Sequence, residues 1–253
     1  MKTRIIFFLF VCSFFGLTGC DRDSQDEPER TVSINFTVGS MLKSAATTAE
    51  DRVDKIILYT VDNQNVVKKY ETTLSGTTLT ISKKVKTFYA IANPTAAMET
   101  LTTLTELLNL TCDFATVPQS PFVMSGRSDF SGSSNINIQL NRMVAKINIV
   151  APVDFQVESL KVTTHISGYV FARTPFDVPA FSSAVIYTFT NISSPVYLAE
   201  NSGQSNLTEI AITGKYRDIH SITHTFNIKE KSQDVNIVRN TSYNVELDFK
   251  YMD

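Results

Sequence analysis

Asn135-Ile136-Asn137-Ile138-Gln139-Leu140-Asn141-Arg142-Met143-Val144-Ala145-Lys146-Ile147-Asn148-Ile149-Val150 alternates apolar and polar residues with a period of two. That period is the mark of a strand with one buried face. The alternation also slips. Ile136, Ile138 and Leu140 share one parity, whereas Ile147, Ile149 and Ala151 take the other. A slip of one residue exchanges the buried and exposed faces, so the chain is expected to leave one sandwich for a second near Asn141-Arg142. This divides it into 31–140 and 141–253, and the halves are not sequence repeats of each other.

Working outward, Val32, Ile34, Phe36 and Val38 alternate in the same way. Short β-branched and aromatic runs between polar turns predict further strands at Val53 to Val61, Val66 to Thr72, Thr77 to Ser82, Thr87 to Ile91 and Lys146 to Ala151. Others are predicted at Gln156 to His165, Ala184 to Thr190, Thr208 to Tyr216, Ile222 to Ile228 and Ser242 to Tyr251. Many short strands without alternating helices indicate sandwiches rather than a β-α-β fold. One helix is expected after Asn93-Pro94, where Leu101, Leu104, Leu107 and Leu108 fall at helical spacing and should pack on the first sandwich. The fold class is therefore all-β, two β-sandwich domains in tandem with one short helix in the first.

The N-terminus has the layout of an export signal over residues 1–19: Lys2 and Arg4, an apolar run from Ile5 to Phe15, then small residues before a cysteine. The run is shorter than the roughly 20 residues that span a bilayer. Leu17-Thr18-Gly19-Cys20 resembles the bacterial lipobox, which predicts cleavage before Cys20 and lipidation of its thiol. Residues 20–30 then form a lipidated, mostly acidic tether with no apolar residue after Cys20, hence solvated. Such a stretch is similar to the signal that sends some lipoproteins to the outer face of the outer membrane, and is equally readable as a spacer. With Cys12 removed and Cys20 blocked, Cys112 is the remaining thiol, so no intrachain disulfide is expected.

A net charge of −2 with scattered Lys and Arg provides no electrostatic footprint for nucleic acid. No Gly-rich phosphate loop, nucleophile elbow, metalloprotease helix or Cys/His metal spacing occurs, so an enzyme is not expected and no cofactor is implied. His220 and His224, with Asp218 near, are read as surface histidines of a β-hairpin rather than metal ligands. Arg142 with Asp154 and Glu158 suggests an exposed ion pair at the domain junction, worth about 0–1 kcal/mol. Glycan binding is a rival reading. Sugar sites favour exposed aromatic faces; the chain has no tryptophan, and its candidates lie around Tyr169 to Phe181.

Five segments, taken in order, carry a resemblance. They are Phe88-Tyr89-Ala90-Ile91-Ala92-Asn93, Pro121-Phe122-Val123-Met124-Ser125-Gly126, Leu140-Asn141-Arg142-Met143-Val144-Ala145-Lys146-Ile147, Tyr197-Leu198-Ala199-Glu200-Asn201 and Arg239-Asn240-Thr241-Ser242-Tyr243-Asn244-Val245. Together with the lipobox they resemble the fimbrillin family, the pilins of type V pili and their accessory, anchor and tip subunits, exported as lipoproteins by Gram-negative anaerobes. The resemblance implies transthyretin-like sandwiches and a role in adhesion at the outer membrane and in the fimbrium. It implies as partners other fimbrial subunits, the outer membrane through the lipid anchor, and a host or bacterial surface receptor.

It also implies a mechanism: a protease cuts after a basic residue in the loop behind the first strand, that strand leaves, and a neighbour's strand fills the groove. Here the exchangeable strand is Val32, Ile34, Phe36 and Val38. Lys43 and Arg52 are the basic residues in or beside the loop Gly39 to Asp51, and Arg52 is the expected processing site. The residues alone fit equally an ordinary exposed arginine opening the next strand. The chain ends at Asp253, four residues after Phe249, with no spare donor strand unless Tyr243 to Tyr251 serves. A tip or anchor subunit is therefore expected rather than a stalk pilin.

Overall fold

A computed structural model describes residues 28–41, 49–166, 168–171, 184–190, 195–201, 207–217, 220–230 and 233–247. Cys20, Lys43, Asp218 and Phe249 lie outside them. The first strands are β1 (Glu29–Val38), β2 (Ile56–Asp62), β3 (Val67–Thr72), β4 (Thr77–Ser82), β5 (Val85–Ala92), β6 (Met124–Asp129) and β7 (Asn135–Arg142). They make a seven-stranded sheet in the order β3-β2-β5-β6-β7-β1-β4. Its two halves join only where Met124 faces Arg142 and Ser125 faces Asn141. The β3-β2-β5-β6 and β7-β1-β4 layers enclose a core of Val32, Ile34, Phe36, Leu58, Phe88, Ile138 and their neighbours.

Gly126 makes that junction feasible. A Cβ there would stand 2.3 Å from the Gln139 carbonyl oxygen and 2.7 Å from Ile138 Cγ2. Any other residue would push β6 off β7.

From β7 the chain crosses at Met143 into β8 (Val144–Val150), which belongs to a different sheet. Before this crossing Ile136, Ile138 and Leu140 are buried in alternation with exposed residues, whereas from Arg142 to Ile147 every residue is buried, so the chain passes through the interior with no alternation. The remaining strands are β9 (Phe155–Thr164), β10 (Val185–Thr190), β11 (Val196–Ala199), β12 (Glu209–Tyr216), β13 (His220–Asn227), β14 (Lys229–Glu230), β15 (Gln233–Asp234) and β16 (Ser242–Glu246). They form a four-stranded sheet, β10-β9-β12-β13, a three-stranded sheet, β11-β8-β16, and the β14-β15 ribbon. The molecule is an all-β sandwich protein.

A second buried cluster joins the halves. It holds Ile57, Tyr59, Tyr89 and Ile91 from the outward face of the first sheet together with Ile147, Leu160, Val162, Leu198 and Ile212. Tyr89 meets Phe171 edge-on with ring centroids 4.9 Å apart, and Phe122 meets Tyr197 at 4.6 Å.

The expected helix is shorter than its leucine spacing suggested: α1 spans Leu104–Leu108, closed by a capping box between Thr103 and Glu106. A single turn of 3-10 helix (Ala96–Glu99) precedes it. Leu101 lies outside α1 and Leu108 is exposed. Leu107 is fully buried, in the cluster that spans both halves rather than in the first sandwich core. Among the described residues no helix is long and apolar enough to cross a membrane.

Candidate functional site

β1 lies between β7 and β4. Residues Ser33 to Val38 run parallel to β7, opposite Asn135 to Leu140, and Glu29 to Ile34 run antiparallel to β4, opposite Ser82 to Thr77. Within the sheet β4 has β1 as its sole neighbour, since it is the outermost strand. Val32, Ile34 and Phe36 are buried in the first core, and Val38 is half-buried against it.

Beyond Val38 the chain enters a polar site that holds both ends of the β1–β2 loop. Gly39 donates from its N–H to the Leu140 carbonyl at 2.8 Å. A Cβ on Gly39 would lie 2.3 Å from Asn141 Oδ1 and 2.8 Å from Gln139 Nε2, so the chain packs there closely against the side-chain ends of β7. The Arg142 guanidinium, 0% exposed, gathers the two ends. Its Nη1 donates to the Gly39 carbonyl at 2.9 Å and its Nε to the Glu50 carbonyl at 3.0 Å. Nη1 also donates to Asn240 Oδ1 at 2.7 Å, and Nη2 donates to the Asp51 carboxylate.

Glu50 is itself 1% exposed. Lys146 Nζ stands 3.0 Å from its Oε1, and the Tyr197 hydroxyl donates to the same oxygen at 2.6 Å. Lys146 and Tyr197 are cross-strand neighbours on β8 and β11. Burial, and then this hydrogen bond, hold the Tyr197 hydroxyl well above the usual tyrosine range, so it remains a donor. Burial pulls the Arg142 guanidinium down, and the Glu50 charge opposes that pull.

Asn240 closes the site from the C-terminal side. At φ 55° it occupies the left-handed region that asparagine tolerates. Its Nδ2 donates to the Ser40 carbonyl at 2.9 Å. Beside it, Arg239 pairs with Glu200 at 2.6 Å and donates to the carbonyls of Tyr169 and Val170.

Arg52 lies just beyond, with an exposed side chain whose Nε donates to Asp54 Oδ1 at 2.7 Å. Its main chain is held. Asn93, also left-handed at φ 52°, donates from Nδ2 to the carbonyls of Arg52 and Phe122, and its Oδ1 accepts from the Asp54 N–H. A protease that cuts after Arg52 must first peel this turn from Asn93.

Parts of the segments that carried the family resemblance thus meet in space around residues 39–41 and 49–54, through Asn93, Phe122, Arg142, Lys146, Tyr197 and Asn240, with the Arg239–Glu200 pair beside Asn240. Glu50 and Asp51 were not singled out by the sequence; an acidic pair in a polar loop carries no signal of burial. The expected pairing of Arg142 with Asp154 and Glu158 is corrected. Asp154 pairs with Arg217 and Glu158 with Lys215, both on the surface, because the turn before β9 and β9 itself carry them away from the crossing point.

His224 is half-buried and stacked on Phe226 at 5.5 Å, on the β12–β13 hairpin. No group of His, Cys, Asp and Glu able to hold a metal occurs among the described residues. Of the aromatics proposed for sugar binding, Phe171 is buried against Tyr89, and residues 172–183 lie outside the described residues.

No family model and no curated protein matches the sequence. Solved structures do. A fimbrial assembly protein from Parabacteroides distasonis superposes with a TM-score of 0.60 at 15% identity, over 87% of this chain and 92% of that one. The tip fimbrial protein Mfa3 from Porphyromonas gingivalis, with C-terminal truncation, gives 0.59 at 15% identity, over 88% and 97%. A fimbrilin (FimA) from Porphyromonas gingivalis gives 0.50 at 14% identity, over 85% and 88%. Across almost its whole length, this chain shares the fold of these fimbrial proteins.

Proposed function

We propose that this chain is a surface lipoprotein, anchored through Cys20, that serves as a structural or accessory subunit of a type V fimbria and supports cell adhesion by β-strand complementation. Its sandwich units are 31–140 and 141–253, and its place is the tip or the anchor. The fold shared with fimbrial proteins, a tip protein among them, supports the fimbrial part of this reading.

The observation that carries the complementation part is the setting of β1. It lies between β7 and β4, fills the first core with Val32, Ile34 and Phe36, and is tied to the body by a loop ending at exposed Arg52. Each of those side chains contributes roughly 1.5–3 kcal/mol through burial. Loss of β1 alone would forfeit that sum and leave β4 unpaired. Replacement by another strand restores both the ladder and the core.

The test is mass spectrometry of the native protein recovered from its host, wild type and Arg52→Ala. The expected result is a chain beginning at Val53 with another fimbrial subunit bound, and loss of that cut in the variant. An intact acylated Cys20 with a fimbrial subunit bound also supports the reading and assigns the anchor position. An intact chain with no partner overturns it.

A further inference from the structure

Cutting after Arg52 would remove more than a strand. Among the described residues, the carboxylates that face Arg142 and Lys146 are Glu50 and Asp51. Both lie on the N-terminal side of the Arg52 peptide bond, as do the Gly39 and Ser40 carbonyls that Arg142 and Asn240 bind. If the fragment leaves, Arg142 at 0% exposure keeps Asn240 Oδ1 as its described partner, Lys146 at 7% loses its counter-charge, and the Tyr197 hydroxyl loses its acceptor. Two cations buried without a carboxylate are unstable, because desolvation is then uncompensated.

We propose that the groove vacated by β1 selects an incoming strand that carries a side-chain carboxylate just past its last core residue, where it replaces Glu50 and Asp51 on Arg142 and Lys146. The inference rests on the strand-complementation reading. The geometry allows it because the Gly39 carbonyl, one residue beyond Val38, is already 2.9 Å from Arg142 Nη1. A strand in the same register passes within hydrogen-bond distance of the guanidinium, and an Asp or Glu on its next few residues reaches it. Apolar side chains supply burial, and the carboxylate sets register and discriminates among strands of similar apolar pattern.

The experiment uses the full chain with Cys20→Ser, nicked after Arg52 by an arginine-specific protease and checked for a single cut by mass. Two amidated peptides compete for the groove, each residues 29–40 of this chain, one extended by a Glu-Asp pair and the other by Gln-Asn. Native mass spectrometry measures displacement of the resident fragment against peptide concentration. The acidic peptide is expected to bind at least about ten-fold tighter, and Lys146→Gln to shrink that preference. Equal binding by both peptides overturns the carboxylate site while leaving strand exchange intact. Failure of both to displace the fragment overturns the complementation reading and this inference with it.

Discussion

Cys112 is 6% exposed, and burial, followed by the neighbouring Asp113 charge, pushes its thiol up to about 11. The thiolate is the reactive form, so raising the pKa leaves the group inert at neutral pH. Iodoacetamide at pH 8 is expected to leave the folded protein unlabelled and to modify Cys112 once urea unfolds it. Labelling at the unfolded rate without urea would contradict the burial. Legibility at this scale was uneven. The buried face of β1 was readable because alternation places Val32, Ile34 and Phe36 on one side. Arg142 stood out in sequence, but its partners did not: Glu50 is 92 residues away and Gly39 is 103.

Among elements, the β6–β7 junction is the narrowest. Gly126→Ala places a methyl group on the Gln139 carbonyl, a backbone atom held in the β7 ladder, and on Ile138, whose side chain is held in a packed core. A loss of about 2 kcal/mol is expected, typical of overpacking. Chemical denaturation checks it, as a lower midpoint with an unchanged slope. A variant as stable as the wild type would mean that the two layers do not approach as closely as described. β6 was not among the strands expected from sequence, since Met-Ser-Gly-Arg-Ser-Asp has no apolar alternation. It forms because it is paired along β5, Met124 opposite Ala92 to Asp129 opposite Thr87, so the ladder rather than the side chains holds it. β11 is four residues long, too short for a period to show.

For the whole molecule, the buried cluster takes Tyr59 and Tyr89 from the first sheet and Leu160 and Ile212 from the second half, so the two halves are expected to unfold as one cooperative unit. Hydrogen exchange in increasing urea is expected to report the same unfolding midpoint for β5 as for β9. Two separate midpoints would show that the shared cluster contributes little. The alternation of apolar residues by itself determined that this chain is built from half-buried strands, since a period of two is a local property that needs no knowledge of neighbours. Only the tertiary structure decided that β1 is held between β7 and β4, that the leucine helix serves the shared cluster, and that Arg142 and Lys146 close over Glu50. Those contacts join residues far apart in the chain, and a buried charge finds its partner through the fold, leaving no spacing in the sequence to read.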